Sequence, residues 1–100
     1  MVYGAHVIEI MTFELRADVN AEGFVETDAR VQTEVAYRCP GLLRRTLARN
    51  ADRWLVVQVW ASPEDGRVGR SVLESSALGQ RFLEFVDGST VSVELFDNVA

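Results

Sequence analysis

The chain has 100 residues and a net charge of −5, and all ten of its basic side chains are arginine. This length suits one domain with a thin hydrophobic core. Nucleic-acid binding needs a basic surface that displaces counterions from phosphate, so the acidic charge argues against nucleic acid and anionic membranes as partners. The single cysteine permits no intramolecular disulfide and no signal-peptide pattern is evident, so a cytoplasmic location is expected.

The first half of the chain predicts a strand, a helix and a hairpin. Residues 5–15 place apolar side chains on both faces, as in a central strand. Asp18 or Asn20 can cap a helix that continues to about Tyr37 and ends before a proline, because the residue preceding proline avoids helical geometry. Two strands at 42–49 and 54–60, joined by a polar turn, then form a β-hairpin.

The second half predicts another helix and a last strand. Ser62 is a capping residue followed by a proline at the first helical position. The serine pair at 75–76 is expected to interrupt the helix, and apolar residues at helical spacing continue to Val86. Gly88 is predicted to end the helix, and residues 90–96 alternate as in a strand.

The predicted order, βαββαβ, indicates an α+β fold of the ferredoxin-like type. Two split βαβ units with right-handed crossovers give a four-stranded antiparallel sheet with two helices on one face. The other face would be bare although the strands carry apolar residues on both sides, and such a patch usually marks an interface. The simplest cover is the same face of a second copy, so a homodimer is expected.

Asp28 is the most informative polar residue. At about 100° per residue it falls near the middle of the apolar arc of the first helix, between Val35 and Ala21. Burying an unpaired carboxylate is costly, so Asp28 is either a candidate general acid or base in a cavity or the partner of Arg45 in an ion pair. Helical spacing assigns to that arc Val31, Phe24, Val35, Ala21, Val25, Ala36 and Ala29.

Four further residues are candidates for ligand contact. Glu9 lies mid-strand among apolar residues and is either a second cavity carboxylate or part of an inter-subunit salt bridge. Gln58 and Trp60 share a strand face, where the amide can donate to a substrate carbonyl and the indole can form a flat wall for an aromatic ligand or simply belong to the core. His6, the only histidine, can act as an acid or base or lie at the rim, but alone it makes no metal site.

Several short motifs within residues 24–91 resemble a known family. They are Pro40-Gly41 after the first helix, Leu42-Leu43-Arg44-Arg45, Asp52-Arg53-Trp54, Trp60 with Ser62, and Phe82 before Val86-Asp87 and Ser89-Thr90-Val91. The pattern is similar to small members of the dimeric α/β-barrel superfamily, close to antibiotic biosynthesis monooxygenase-like proteins. The resemblance implies a homodimer with a small cavity between the sheet and the helices of each subunit.

The family includes enzymes that oxidise polyketide-derived phenols without metal or flavin, and others that degrade haem. Both kinds place a tryptophan near the end of the third strand in the cavity, and Trp60 matches it. They pair it with an asparagine four residues earlier or on the first strand, where this chain has Val56 and no asparagine. The position of the histidine of the haem degraders holds Gly69.

Two functions follow as hypotheses. The first is a cofactor-independent monooxygenase or related acid/base enzyme for a small aromatic or polyketide-like molecule, with no metal, haem or flavin. In it Asp28 moves the proton, Gln58 orients an oxygen and Trp60 stacks on the ring, while Glu9, Arg45 and His6 contact the ligand. The alternative is a non-catalytic homodimer that binds a small apolar ligand or a partner protein.

Overall fold

The computed structural model describes residues 6–100, so the start of the predicted first strand at residue 5 lies outside the described residues. The elements in chain order are β1 (Val7–Leu15), α1 (Ala21–Glu34), a 3-10 turn (Ala36–Arg38), β2 (Leu42–Asn50), β3 (Arg53–Trp60), α2 (Pro63–Ser75), α3 (Ala77–Glu84) and β4 (Val86–Asp97). The strands form one antiparallel sheet in the order β2-β3-β1-β4. The predicted α+β ferredoxin-like fold is confirmed, with the second helix divided into two.

The first helix begins where an asparagine side chain caps it. The Asn20 carboxamide oxygen accepts from the backbone N–H of Glu22 at 2.8 Å, whereas Asp18 lies near Arg16 at 3.7 Å. The α-helix ends at Glu34, earlier than the predicted Tyr37, because the chain tightens into the 3-10 turn before the proline.

The second helix breaks at Ser76, as the serine pair predicts. Ser76 is extended (φ −76°, ψ 150°), and its hydroxyl oxygen accepts from the backbone N–H of Gly79 at 2.9 Å, so it ends α2 and caps α3. Gly79 fits this corner because a Cβ there would overlap the carbonyl oxygen of Leu73.

The predicted end of that helix at Gly88 is wrong. The helix ends at Glu84, and Val86 is the first residue of β4, buried and paired with Leu15 of β1. Spacing alone cannot separate the last helical turn from the first strand residues, because the deciding bond is long-range: Arg16 N–H donates to the Phe85 carbonyl at 2.9 Å. Gly88 lies in the irregular part of β4, where its register with β1 shifts.

All three helices pack on one face of the sheet. The core there is a cluster of Phe13, Phe24, Val31, Trp54, Val56, Phe82 and Val86. The Phe24 ring meets Phe13 and Trp54 edge to face, with centroid distances of 5.8 and 5.0 Å. This cluster lies between the sheet and the helices, and the polar residues described below lie on the same face of the sheet, with Gln58 two residues beyond Val56 on β3.

The opposite face carries apolar side chains that no helix among residues 6–100 covers. Its half-buried members are Ile8, Ile10, Leu55, Val57 and Val59, and Phe96 on β4 is 45% exposed. Separately, none of the helices in the described part of the chain is long and apolar enough to cross a membrane.

Candidate functional site

A row of three polar side chains crosses the helix-covered face of the sheet. Glu9 of β1 is opposite Gln58 of β3, which is opposite Arg45 of β2. All three are buried. The Gln58 amide nitrogen donates to Glu9 Oε1 at 3.0 Å, and Arg45 Nε donates to Gln58 Oε1 at 3.0 Å. The amide therefore connects a carboxylate to a guanidinium and fixes the orientation of both.

Asp28 extends this row from the first helix. Its Oδ1 lies 2.8 Å from Arg45 Nη2, and the two side chains are 5% and 3% exposed. The contact is an ion pair by its distance, although its angles are not those of a hydrogen bond. The ion pair that the sequence left open as an alternative for Asp28 is thus present, and it holds Arg45 against the sheet.

The buried face of the first helix differs from the predicted arc. Phe24 and Val31 are buried as expected, but Val25 and Ala29 are exposed and Thr27 is buried. With Phe24 and Val31 in the core, the side of the helix that carries Thr27 faces the sheet, and the side that carries Val25 faces outward. Asp28 stays buried in this orientation because Arg45 supplies its counter-charge.

Trp60, the last residue of β3, forms a second hydrogen bond to Glu9. Its indole N–H donates to Glu9 Oε1 at 3.0 Å, and the residue is fully buried. The ring lies against the backbone of α2 at Gly66 and Gly69. A Cβ on Gly69 would overlap the ring, and one on Gly66 would come within 3.3 Å of it. Helix α2 covers the ring, so the structure places Trp60 in the core, one of the two alternatives for it, and not in the lining of the cavity described next.

A cavity of about 320 Å³ lies between the sheet and the second and third helices. Most of its lining is apolar, and Glu9, Gln58 and Arg45 form the polar part of its wall on the sheet. The remaining lining residues are Met11, Val31, Val56, Arg70, Leu73, Glu74, Gly79, Phe82, Leu83, Val91 and Val93. A pocket with apolar walls and a few convergent polar groups is typical of small-molecule sites.

Arg70 is a cavity residue that sequence reasoning missed. It projects from α2, and its Nη1 lies 3.8 Å from Glu9 Oε1. The signal that could have found it is the pair Gly66 and Gly69, because two glycines three residues apart mark the face of a helix that approaches the sheet. Arg70 adjoins that face and reaches the cavity.

His6 lies apart from these residues. It is exposed just before β1, and its carbonyl accepts from the backbone N–H of Asn98 at 3.0 Å. It does not line the cavity, so its position gives no support to the predicted ligand contact. Within residues 6–100, no three His, Cys, Asp or Glu side chains come together as a metal site would require.

No protein-family model matches the chain, and no curated protein matches it. Solved structures do match. A mutant of SnoaB, a cofactor-independent oxygenase from Streptomyces nogalater, has a TM-score of 0.79 at 18% identity, covering 96% of this chain and 95% of that one. A putative antibiotic biosynthesis monooxygenase from Nitrosomonas europaea has a TM-score of 0.74 at 15% identity, covering 99% and 95%.

A putative antibiotic biosynthesis monooxygenase from Caulobacter crescentus gives a similar result. Its TM-score is 0.75 at 16% identity, and the match covers 96% of this chain and 92% of that one. At such identities the likeness concerns the fold. The resemblance to antibiotic biosynthesis monooxygenase-like proteins is confirmed at the level of the fold.

Proposed function

We propose that this protein is a cofactor-independent monooxygenase acting on a small phenolic, polyketide-like molecule. One observation carries the proposal: the Glu9 carboxylate forms part of the wall of an otherwise largely apolar cavity of about 320 Å³, oriented by Gln58 and Trp60. The fold supports it, because a similar structure, SnoaB, is described as a cofactor-independent oxygenase.

The chemistry needs a base and a dry pocket. Removing the phenolic proton gives an electron-rich phenolate that reacts with dioxygen at a ring carbon. One oxygen atom becomes a quinone carbonyl, and the other leaves as water with the ring hydrogen and the phenolic hydrogen. The substrate itself supplies the four electrons. Apolar residues such as Met11, Val56 and Phe82 line the cavity and would form the apolar surroundings of the reacting ring.

Glu9, and not Asp28, is the residue that would accept the proton. Glu9 lines the cavity, whereas Asp28 does not and is paired with Arg45. In this arrangement Asp28 positions Arg45, and Arg45 positions the Gln58 amide, which in turn donates to Glu9. Gln58 and Trp60 thus act through Glu9 as positioning residues, and Gln58 also lines the cavity.

Oxygen consumption tests the proposal. Wild-type protein is incubated with a panel of polycyclic phenols in an oxygen-electrode cell, and products are identified by mass spectrometry. We expect Glu9→Gln to lower the rate by roughly 10²–10⁴-fold, the usual contribution of a general base. The matched control is Glu26→Gln, at an exposed position of α1, which should leave the rate unchanged. Equal rates in the two variants would contradict the assignment.

The binding-protein alternative rests on Val56. This apolar side chain lines the cavity at the position where the resemblance implies an asparagine in the oxygenases. A homodimeric binding protein would take up the same aromatic ligands without consuming oxygen. Tight binding of several phenols with no oxygen uptake would favour this alternative.

A further inference from the structure

Two arginines in the cavity wall each have a buried nitrogen whose N–H groups find no hydrogen-bond acceptor among the described residues. Arg45 uses Nε for Gln58 and Nη2 for the ion pair with Asp28, but its buried Nη1 has no acceptor among residues 6–100. Arg70 Nη1 is also buried and has no hydrogen-bond acceptor there, although Glu9 Oε1 lies 3.8 Å away. Both residues line the same cavity.

Such donors call for an acceptor inside the cavity. Buried polar atoms nearly always have a hydrogen-bond partner, and a guanidinium has five N–H donors in a fixed planar arrangement. Arg45 cannot turn to bulk water, because its side chain is 3% exposed and two of its nitrogens are already held. An oxygen atom of a ligand in the cavity would fill this need.

The charges around the cavity favour a ligand oxygen that is neutral when it enters. The carboxylates of Glu9 and Asp28 balance the guanidiniums of Arg45 and Arg70, and Glu74 adds a further negative charge at the lining. A ligand that enters as an anion would bring an uncompensated charge into an apolar site, which is costly. A neutral ligand that ionises only after binding avoids this cost.

We propose that Arg45 and Arg70 form an oxyanion site for a neutral, weakly acidic ligand, a phenol or an enol, whose proton passes to Glu9. The inference rests on the proposed function, because Glu9 is the base in both. The O–H bond of the ligand breaks and a bond from the proton to Glu9 forms, so the negative charge moves from the carboxylate to the ligand oxygen. No electrons are transferred, and the net charge of the site is unchanged.

The hydrogen bonds of Glu9 fit this transfer. Gln58 and Trp60 both donate to Oε1, so among the described residues Oε2 is the oxygen left to take the proton. Arg70, whose Nη1 lies 3.8 Å from Glu9 Oε1, then has one negative charge fewer beside it on Glu9 and gains another on the ligand. The Arg45 guanidinium also lies over the Phe82 ring, 5.9 Å from its centroid, and both residues line the cavity.

The test uses para-nitrophenol, whose phenolate form absorbs visible light. At a pH at which the free ligand is mostly neutral, we expect the phenolate band to appear on binding to the full chain. Calorimetry compares two analogues of similar shape: para-nitrotoluene, which has no ionisable oxygen, and para-nitrobenzoate, which is already anionic. We expect para-nitrophenol to bind at least roughly tenfold more tightly than either, the usual effect of a charge-assisted hydrogen bond.

Variants assign the effect to the arginines. Arg70→Gln should weaken para-nitrophenol binding roughly tenfold, and the control Arg81→Gln, at an exposed position of α3, should not. Because removing Arg45 alone would leave Asp28 unpaired, its role is tested with the double variant Asp28→Asn/Arg45→Gln, which should also lose the phenolate band. Glu9→Gln should bind the ligand in its neutral form, without that band.

Equal binding of para-nitrophenol and para-nitrotoluene, tighter binding of para-nitrobenzoate, or no effect of Arg70→Gln overturns the oxyanion site. The phenolate band with no oxygen uptake from any phenol overturns the monooxygenase proposal and leaves the oxyanion site standing. Oxygen uptake that needs Glu9 but proceeds without the band and without Arg70 overturns the oxyanion site alone.

Discussion

Asp28 and Arg45 are both buried, and each supplies the opposite charge that compensates the other. Replacing Asp28 by Asn leaves the guanidinium without its anion in a site of low dielectric constant. We expect Asp28→Asn to lower the free energy of unfolding by roughly 3–5 kcal/mol in urea denaturation. The control Asp18→Asn breaks an exposed pair with Arg16 and should cost about 0–1 kcal/mol.

The double variant Asp28→Asn/Arg45→Met separates charge from shape in this pair. Removing both charged groups leaves neither stranded, so it should recover most of the stability lost in Asp28→Asn. A single variant as stable as the Asp18→Asn control would show that water or another group compensates Arg45.

Burial controls the reactivity of the only cysteine. Desolvation raises the pKa of the Cys39 thiol, and its Sγ donates to the Val35 carbonyl at 3.4 Å. Less thiolate is therefore present in the folded protein than in the unfolded chain at the same pH. We expect iodoacetamide to modify Cys39 more slowly in native than in denaturing buffer at mildly alkaline pH, as followed by mass spectrometry. Equal rates would contradict the burial of this thiol.

The raised pKa of the Cys39 thiol makes the stability of the folded protein decrease at alkaline pH. The folded protein holds the thiol proton more tightly, so the contribution of Cys39 to stability is complete below the ordinary thiol pKa. It is lost as the pH rises through the raised value in the folded protein.

The sequence predicted parts of the polar site but not their assembly. Alternation identified Glu9 and Gln58 as mid-strand polar residues facing an apolar environment, and the helical arc identified Asp28. Alternation fixes the face of a residue but not its cross-strand neighbour, so the row from Glu9 through Gln58 to Arg45 required the register of three strands. Arg70 required the close approach of α2 to Trp60 as well.

At the scale of elements, the contact between α2 and Trp60 depends on a glycine. Alanine favours a helix by about 1 kcal/mol over glycine, but at Gly69 its Cβ would overlap the indole ring. Overpacking of a core typically costs about 1–3 kcal/mol, and occasionally more. We therefore expect Gly69→Ala to lower the thermal midpoint.

The matched control is Gly23→Ala in the first helix. A Cβ there meets only Phe85 at 3.6 Å, an ordinary contact. Gly23→Ala should stabilise the protein by up to about 1 kcal/mol through helix propensity. Opposite shifts of the thermal midpoint are expected, and a rise in both variants would show that Trp60 does not need the space above Gly69.

The starts of the helices were easier to predict than their ends. Asn20 and Ser62 cap their helices through bonds to residues two or three positions away, and such local signals are visible in a sequence. Phe82, Phe85 and Val86 suit a helix by spacing, yet Val86 belongs to a strand because it pairs with Leu15, far away in the chain. Boundaries set by long-range pairing escape local rules.

At the scale of the whole molecule, the sheet has one covered and one open face. Helices pack over Phe13, Trp54 and Trp60, whereas the open face carries half-buried aliphatic side chains and the exposed Phe96. An exposed apolar surface of this kind usually marks an interface. We therefore expect two copies to associate through this face, as the sequence predicts.

Light scattering tests the dimer, with wild-type protein expected at twice the 11.2 kDa mass of the chain. Val57 lies in the middle of the open face, between Ile10 and Thr46 on the neighbouring strands. Val57→Glu would bury two carboxylates in the interface without a cation and should give a monomer. The control Gln80→Glu, at an exposed position of α3, should stay dimeric. Because the cavity lies on the other face, monomeric Val57→Glu should still bind para-nitrophenol. Wild-type protein that scatters as a single chain at micromolar concentration would contradict association through this face.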